Sequence, residues 1–196
     1  MDTGFTAVAI FFAAIFTNNI LLTNYLGMCS FLSVSREIKT SLGLGAAVIF
    51  VMASTSLLNY LVYHFILLPL GLDYLRFIVF IIVIAAFVQL VEMVIERVSE
   101  TLYAALGIFL PLITVNCAIL GVSLFMVIRE YGMFESFMYG LGSGIGWFLA
   151  IMAMAGIRQK LKKAAVPKGL EGAGITLVIT GMMALAFMGF TGMINI

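Results

Sequence analysis

Six long apolar stretches make up most of the 196-residue chain. Each has the roughly 20 mostly apolar residues that a helix needs to cross a bilayer. They occupy residues 4–32, 42–68, 74–93, 102–127, 134–157 and 174–194. Short segments separate them, so the pattern predicts an all-α integral membrane protein with six transmembrane helices in one transmembrane domain, 1–196.

The composition excludes the main alternatives to a membrane protein. Hydrophobic residues make up 64% of the chain and charged residues 10%, whereas about 25% of a soluble domain is charged. So few charges cannot cover the surface of a soluble enzyme of this length. The net charge of +1 gives no basic field for a nucleic-acid partner. Two cysteines and one histidine exclude a disulfide scaffold and a metal site built from several histidines.

The distribution of Lys and Arg predicts the orientation in the membrane. Loops on one side carry Arg76 and Arg129, and loops on the other side carry all the remaining basic residues. These are Arg36, Lys39, Arg97, Arg158, Lys160, Lys162, Lys163 and Lys168. The richer side is predicted to be cytoplasmic, which places both termini outside, in the periplasm where there is one.

The first and fourth stretches carry polar interruptions and are longer than a bilayer requires. At about 1.5 Å of rise per residue, both exceed a hydrocarbon core of ~30 Å. Asparagine and threonine recur within residues 17–24, and the fourth stretch contains Pro111, Thr114 and Asn116. Polar side chains need partners in hydrocarbon, and proline removes a backbone donor. Both helices are therefore predicted to be discontinuous near the midplane.

The order of features in the two halves predicts an internal repeat. Each half has an overlong stretch with one cysteine, Cys29 or Cys117, then a glycine-rich segment, 43–45 or 140–144. Three helices per half give the halves opposite orientations, as in inverted repeats with sites near the midplane. The repeats would cover about 1–98 and 99–196, and their pseudo-two-fold axis would bring the cysteines together. Chance similarity between apolar segments is the alternative.

Three interpretations of the two cysteines follow from the residues. Free cysteines commonly pack as small buried hydrophobes, and a disulfide is a second interpretation. The third is thiolate ligation of a [2Fe–2S] cluster, which needs four ligands, so two would come from a similar second chain. His64 is expected at the membrane interface. Both cysteines lie at a predicted helix break and have a glycine nearby, Gly27 or Gly121. These features favour the iron interpretation.

Several segments resemble one family of membrane subunits. These are residues 25–32, 89–92, 106–118, 142–147 and 186–190. The family includes the E subunit of the sodium-translocating NADH:quinone oxidoreductase (Nqr) and the A subunit of the Rnf ferredoxin:NAD⁺ oxidoreductase complex. Ser30 after the cysteine, Val115 and the 142–147 segment are closer to the quinone enzyme, whereas the 68–76 connection looks Rnf-like. The resemblance thus favours the E subunit of Nqr, with the A subunit of Rnf as the alternative.

The resemblance implies a role in a redox-driven sodium pump of the bacterial inner membrane. It implies that Cys29 and Cys117 ligate a [2Fe–2S] cluster shared with a homologous partner, the D subunit of Nqr, surrounded by Gly27, Met28, Thr114 and Asn116. Electrons would pass from a cytoplasmic NADH-oxidising subunit with FAD and iron–sulfur centres to membrane and periplasmic flavin subunits, coupled to sodium export and ubiquinone reduction. We find no dinucleotide fingerprint, so we expect no bound NAD or flavin, no catalytic residue and no complete active site in this chain.

Glu92 near the cytoplasmic end of the third stretch is the candidate residue for cation uptake. A carboxylate at the interface, close to Arg97, is the simpler interpretation. Two other classes of function stay open on the residues alone. Inverted repeats with broken helices are also typical of secondary transporters, and a scaffold could use the same helices only to hold its partners.

Overall fold

The computed structural model describes residues 3–98, 110–162 and 172–189, and every regular element in these ranges is helical. A π-helical turn (Tyr63–Leu67) and a short α-helical turn (Leu68–Leu70) continue the helix that ends at Val62. A 3₁₀ turn (Asp73–Leu75) precedes the helix that begins at Arg76. In chain order the helices are α1 (Thr3–Ile15), α2 (Met28–Val34), α3 (Ile38–Val62), α4 (Arg76–Val98), α5 (Leu110–Thr114), α6 (Cys117–Ile128), α7 (Met133–Leu161) and α8 (Ala173–Met188).

Each of the six predicted stretches overlaps one apolar helix, and three of these helices are of membrane-spanning length. In the described ranges, three helices are long and apolar enough to cross a membrane, namely Ile38–Leu70, Asp73–Val94 and Met133–Leu161. Shorter apolar helices cover Thr6–Ile15, Leu112–Ile128 and Ala173–Met188. The all-α membrane class is thus confirmed. Residues 102–109 and 190–194 of the fourth and sixth stretches lie outside the described residues.

The first stretch is discontinuous, as its polar residues predict. Turns occupy residues 16–27, where every backbone group inside a bilayer needs a partner. The buried Asn19 supplies several of these partners: its Nδ2 donates to the carbonyls of Ile15 (3.2 Å) and Gly146 (2.8 Å). Its Oδ1 accepts from the N–H groups of Leu21 (3.1 Å) and of the next residue (3.4 Å). The side-chain amide of Asn19 therefore bonds four backbone groups and ties the broken helix to α7.

The fourth stretch is interrupted directly before its cysteine. Helix α5 ends at Thr114, and α6 begins at Cys117. Asn116 caps α6, because its Oδ1 accepts a hydrogen bond from the N–H of Ala118 at 3.1 Å. The break therefore lies at residues 115–116, beyond Pro111, where a side chain can replace the missing backbone partner.

The glycine-rich segment of the second half lies inside α7 and lets two helices approach its backbone. An added Cβ at Gly144 would lie 2.9 Å from the Cα of Ile49 in α3. An added Cβ at Gly142 would lie 2.7 Å from the carbonyl oxygen of Phe11 in α1. Helix α7 therefore packs between α1 and α3 at distances that only a missing side chain allows.

The basic residues of the two predicted sides lie at opposite ends of the bundle. Arg158 donates to the carbonyl of Leu32 (2.9 Å) and the hydroxyl of Ser35 (2.7 Å), which joins α7 to the α2–α3 connection. We call this the inner end, after the side predicted to be cytoplasmic. Arg76 and Glu130, the residue after Arg129, line one cavity at the other end, which we call the outer end. Lys163 and Lys168 lie outside the described residues.

Candidate metal centre

The two cysteines are neighbours on the surface of this chain. Cys29 lies in the first turn of α2 and Cys117 is the first residue of α6, so each follows a helix break directly. Their thiols are close enough to interact directly, and both are free and exposed. The interpretation of the cysteines as buried core residues is therefore wrong for this chain, and the expectation that they lie together is confirmed.

Gly27 fixes the start of α2 against α6 and α7. Its backbone is left-handed, with φ of 83°, a conformation that favours glycine. An added Cβ would lie 2.8 Å from Nε1 of Trp147, 3.0 Å from the Cβ of Ala118 and 3.0 Å from Oδ1 of Asn116. The loop that presents Cys29 thus depends on a residue without a side chain. Half-buried Met28 follows it as the first residue of α2.

Two buried donors beside this loop have no acceptor among the residues that the structure describes. They are Nδ2 of Asn116, the residue before Cys117, and Nε1 of Trp147. Buried donors without acceptors are uncommon in native structures. The Asn116 amide fits a centre with anionic sulfur, because hydrogen bonds to sulfur are a normal part of iron–sulfur sites. The Cys117 position fits it too, because the N-terminus of a helix favours negative charge.

The described residues supply two metal ligands at this site and no third. They contain no group of three or more His, Cys, Asp or Glu side chains that could hold a metal ion. A cavity of about 360 Å³ adjoins Cys117 and is lined by half-buried Thr114 and by apolar residues of α4 such as Ile81. Val115 is 71% exposed. The geometry is therefore that of half a centre, open on an apolar surface that a second chain could cover.

Glu92 is not part of this arrangement. It is half-buried on α4 and does not line the cavity beside Cys117. The described side chains of Glu92 and Arg97 form no ion pair within 4.0 Å. His64 is exposed, and its ring stacks on the ring of Tyr60.

Asn19 and Trp147 are site residues that sequence reasoning left without a role. Asn19 stands in the polar run of the first stretch, and Trp147, the one tryptophan of the chain, ends the segment 142–147. An amide in a hydrocarbon-length stretch and a large aromatic residue after four closely spaced glycines were the signals that could have identified them.

With the geometry established, similarity to known proteins gives the family. The profile of the family described as "Rnf-Nqr subunit, membrane protein" matches residues 7–194. The chain belongs to this family. The resemblance drawn from the sequence segments is therefore confirmed.

Curated relatives from both branches of the Rnf-Nqr family match nearly the whole chain. The E subunit of the Na⁺-translocating NADH-quinone reductase of Serratia proteamaculans is 55% identical over 191 residues, 94% of this chain and 96% of the relative. The corresponding E subunit of Psychromonas ingrahamii is 52% identical over 195 residues, with the same coverage. The A subunit of the Na⁺-translocating ferredoxin:NAD⁺ oxidoreductase complex of Acetobacterium woodii is 52% identical over 188 residues, 96% of this chain and 98% of the relative.

Proposed function

We propose that this Rnf-Nqr family member holds half of an intramembrane [2Fe–2S] cluster and relays electrons through the membrane part of an oxidoreductase complex. The observation that carries the proposal is the pair of free, exposed, interacting cysteines at two helix breaks. A [2Fe–2S] cluster takes four ligands and changes charge by one electron on reduction. Cys29 and Cys117 would supply two thiolates, and a homologous partner chain would supply the other two.

The residues around the cysteines have roles that the chain itself can perform. Gly27 brings the Cys29 loop against α6 and α7, and Asn116 caps the helix that begins at Cys117. The donor group of Asn116, Nδ2, has no acceptor among the described residues, so it can hydrogen-bond sulfur and tune the reduction potential. Thr114 and Met28 complete the surroundings of the pair.

A partner of similar construction follows from the internal symmetry that we propose. In two inverted repeats, α3 and α7 are equivalent helices, and they pack against each other where Gly144 faces Ile49. The equivalent cysteines also lie side by side. A homologous partner, related to the D subunit of the quinone enzyme, would present the same kind of pair across the apolar surface around Val115.

The names of the relatives extend the proposal to sodium. Both branches are named Na⁺-translocating, one as NADH-quinone reductase and one as ferredoxin:NAD⁺ oxidoreductase. We propose that the chain works in such a redox-driven sodium pump of the bacterial inner membrane, between a cytoplasmic electron-donor subunit and outer flavin subunits, with both termini outside. The segments around Ser30 and Val115 favour the E subunit of the quinone reductase, and the A subunit of the Rnf complex is the alternative.

Iron content tests the proposal most simply. In the purified complex, Cys29→Ser and Cys117→Ser should each remove about two iron atoms per complex and the EPR signal of one reduced [2Fe–2S] centre. Ser33→Ala, at an exposed position of the same helix α2, should leave both unchanged. Normal iron and an unchanged signal in either cysteine variant would show that the thiol is not a ligand. Solute transport without any electron donor would instead indicate a secondary transporter.

A further inference from the structure

The short helix α2 carries Cys29 and depends on its neighbours for its position. It has seven residues, which make about two turns, and Cys29 is the second of them. Its amino end starts from the left-handed Gly27, which packs against α6 and α7. Because the chain is broken before α2, the position of the Cys29 thiol also depends on what holds the carboxyl end of this helix.

Two side chains from other helices hold that carboxyl end. The last carbonyl groups of a helix have no donors within the helix and need partners elsewhere. Nη1 of Arg158, in α7, donates to the carbonyl of Leu32 at 2.9 Å and to Oγ of Ser35 at 2.7 Å. Oγ of Ser41, in α3, donates to the carbonyl of Val34 at 3.1 Å. Of these two donors, Arg158 is the charged one, and cations are favourable beside the last carbonyls of a helix.

The guanidinium of Arg158 is shielded from water and has no carboxylate partner in the described part of the chain. Arg158 is half-buried, and its partner Ser35 is fully buried. No ion pair within 4.0 Å joins Arg158 to a described carboxylate. The charged residue that is close enough to interact with it, Arg36, is also positive. A cation that is partly removed from water without an anion is costly, so a negative group nearby would compensate it.

The cysteine pair is the place where such a negative group is proposed. Leu32 follows Cys29 by three residues, so the guanidinium bonded to its carbonyl lies roughly 10 Å from Cys29. At an effective dielectric constant of about 20, a unit charge at this distance changes a one-electron equilibrium about tenfold. Exposed cations of the inner end, such as Lys160, are screened by water and salt and act much more weakly.

We propose that Arg158 is a positioning residue of the metal centre, which fixes α2 and its Cys29 from the inner end and favours the reduced cluster through its positive charge. The proposal rests on the proposed function of Cys29 as a cluster ligand. It assigns to α7 a role in electron transfer that is independent of Trp147 and of the donors beside the thiols.

A redox titration of the cluster EPR signal in the whole purified complex tests the charge. Removing a positive charge destabilises the form with the extra electron, so Arg158→Gln should lower the midpoint potential. The expected change is about tenfold in the reduction equilibrium, or 59 mV for one electron. Arg158→Lys keeps the charge and should keep the wild-type potential. Lys160→Gln, which removes an exposed charge of the same helix, should also leave the potential unchanged.

The iron-free complex tests the positioning without the cluster. Because the two thiols are neighbours, the oxidant diamide should join Cys29 and Cys117 in a disulfide that mass spectrometry detects. Arg158→Gln should slow this reaction several-fold, and Lys160→Gln should not. Ser35→Ala removes one acceptor of the guanidinium and keeps the charge, so it should slow the reaction and leave the midpoint potential of the iron-loaded complex unchanged.

The outcomes separate this proposal from the proposed function. A wild-type potential or a wild-type disulfide rate in Arg158→Gln would overturn the proposal, as would an equal fall in potential in Lys160→Gln. If Arg158→Gln does not assemble, Arg158→Lys decides: it must combine a wild-type potential with a slower disulfide reaction, because lysine lacks the planar fork of arginine. Any other result would overturn the proposal. Normal iron content in Cys29→Ser would instead refute the metal centre itself, whatever the effect of Arg158.

Discussion

Replacing Gly27 with alanine should displace the loop that carries Cys29. The left-handed backbone at φ 83° costs a residue with a side chain about 1–2 kcal/mol. The new Cβ would also lie 2.8 Å from Nε1 of Trp147 and 3.0 Å from the Cβ of Ala118, inside normal contact distance. Overpacking of this kind costs about 1–3 kcal/mol, so Gly27→Ala should destabilise the protein by about 2–5 kcal/mol.

Two other glycines allow the backbone cost and the steric cost of an added side chain to be measured separately. Gly71 also has a left-handed backbone, at φ 65°, but an added Cβ there would meet nothing within 4 Å, so Gly71→Ala should show the backbone cost alone. Gly43, inside α3, has neither constraint, and Gly43→Ala should be neutral or stabilising by up to about 1 kcal/mol.

The assay is retention of assembled complex after heating, followed by size-exclusion chromatography, together with iron content. At about 2–4 °C per kcal/mol for a chain of this size, Gly27→Ala should lower the midpoint by about 10 °C and Gly71→Ala by about half of that or less. Gly27→Ala should also lower iron occupancy, whereas Gly71→Ala should not. Equal midpoints and normal iron in the two variants would refute the steric argument at Gly27.

Three further predictions concern buried polar and glycine positions. Asn19→Ala leaves several backbone groups of the first break unpaired and should cost about 3 kcal/mol in the same thermal assay, against little for the half-buried Asn18→Ala. Gly142→Ala should destabilise the protein by about 1–3 kcal/mol, because the added Cβ would lie 2.7 Å from a carbonyl oxygen. Gly156→Ala, where an added Cβ meets nothing within 4 Å, should be neutral or stabilising. Equal effects of the two substitutions would contradict the packing described for α7. Glu92→Gln should raise the cytoplasmic sodium concentration for half-maximal turnover about tenfold. Glu96→Gln, at an exposed position of the same helix, should leave that concentration unchanged. An unaltered sodium dependence in Glu92→Gln would show that Glu92 is not part of the uptake path.

The sequence predicts the breaks in the first and fourth helices well because their cause is local. Asparagine and threonine in a hydrocarbon-length stretch must find partners, and Asn19 and Asn116 find them in the backbone of the broken segment. The exact break in the fourth stretch was not predictable from Pro111 alone. It lies at 115–116, where the Asn116 side chain caps the following helix.

Contacts between distant segments account for what the sequence could not predict. Trp147 reaches Gly27 only because α7 packs between α1 and α3, so its role depends on the assembled bundle. The outer cavity is lined by the π-helical turn, the start of α4 and the turn after α6, which lie far apart in the sequence. Hydropathy patterns identify spans and breaks, but they carry no information on which loop ends meet.

The most direct test of the central claim is the number of reactive thiols that this chain exposes in the native complex. The chain contains two cysteines, so each maleimide–polymer adduct is resolved as one step in a gel. If Cys29 and Cys117 ligate a shared cluster, the iron-loaded complex should show no adduct, and destroying the cluster should make both thiols reactive at once. Reaction of both thiols in the intact complex, with iron content and EPR signal unchanged, would contradict the account.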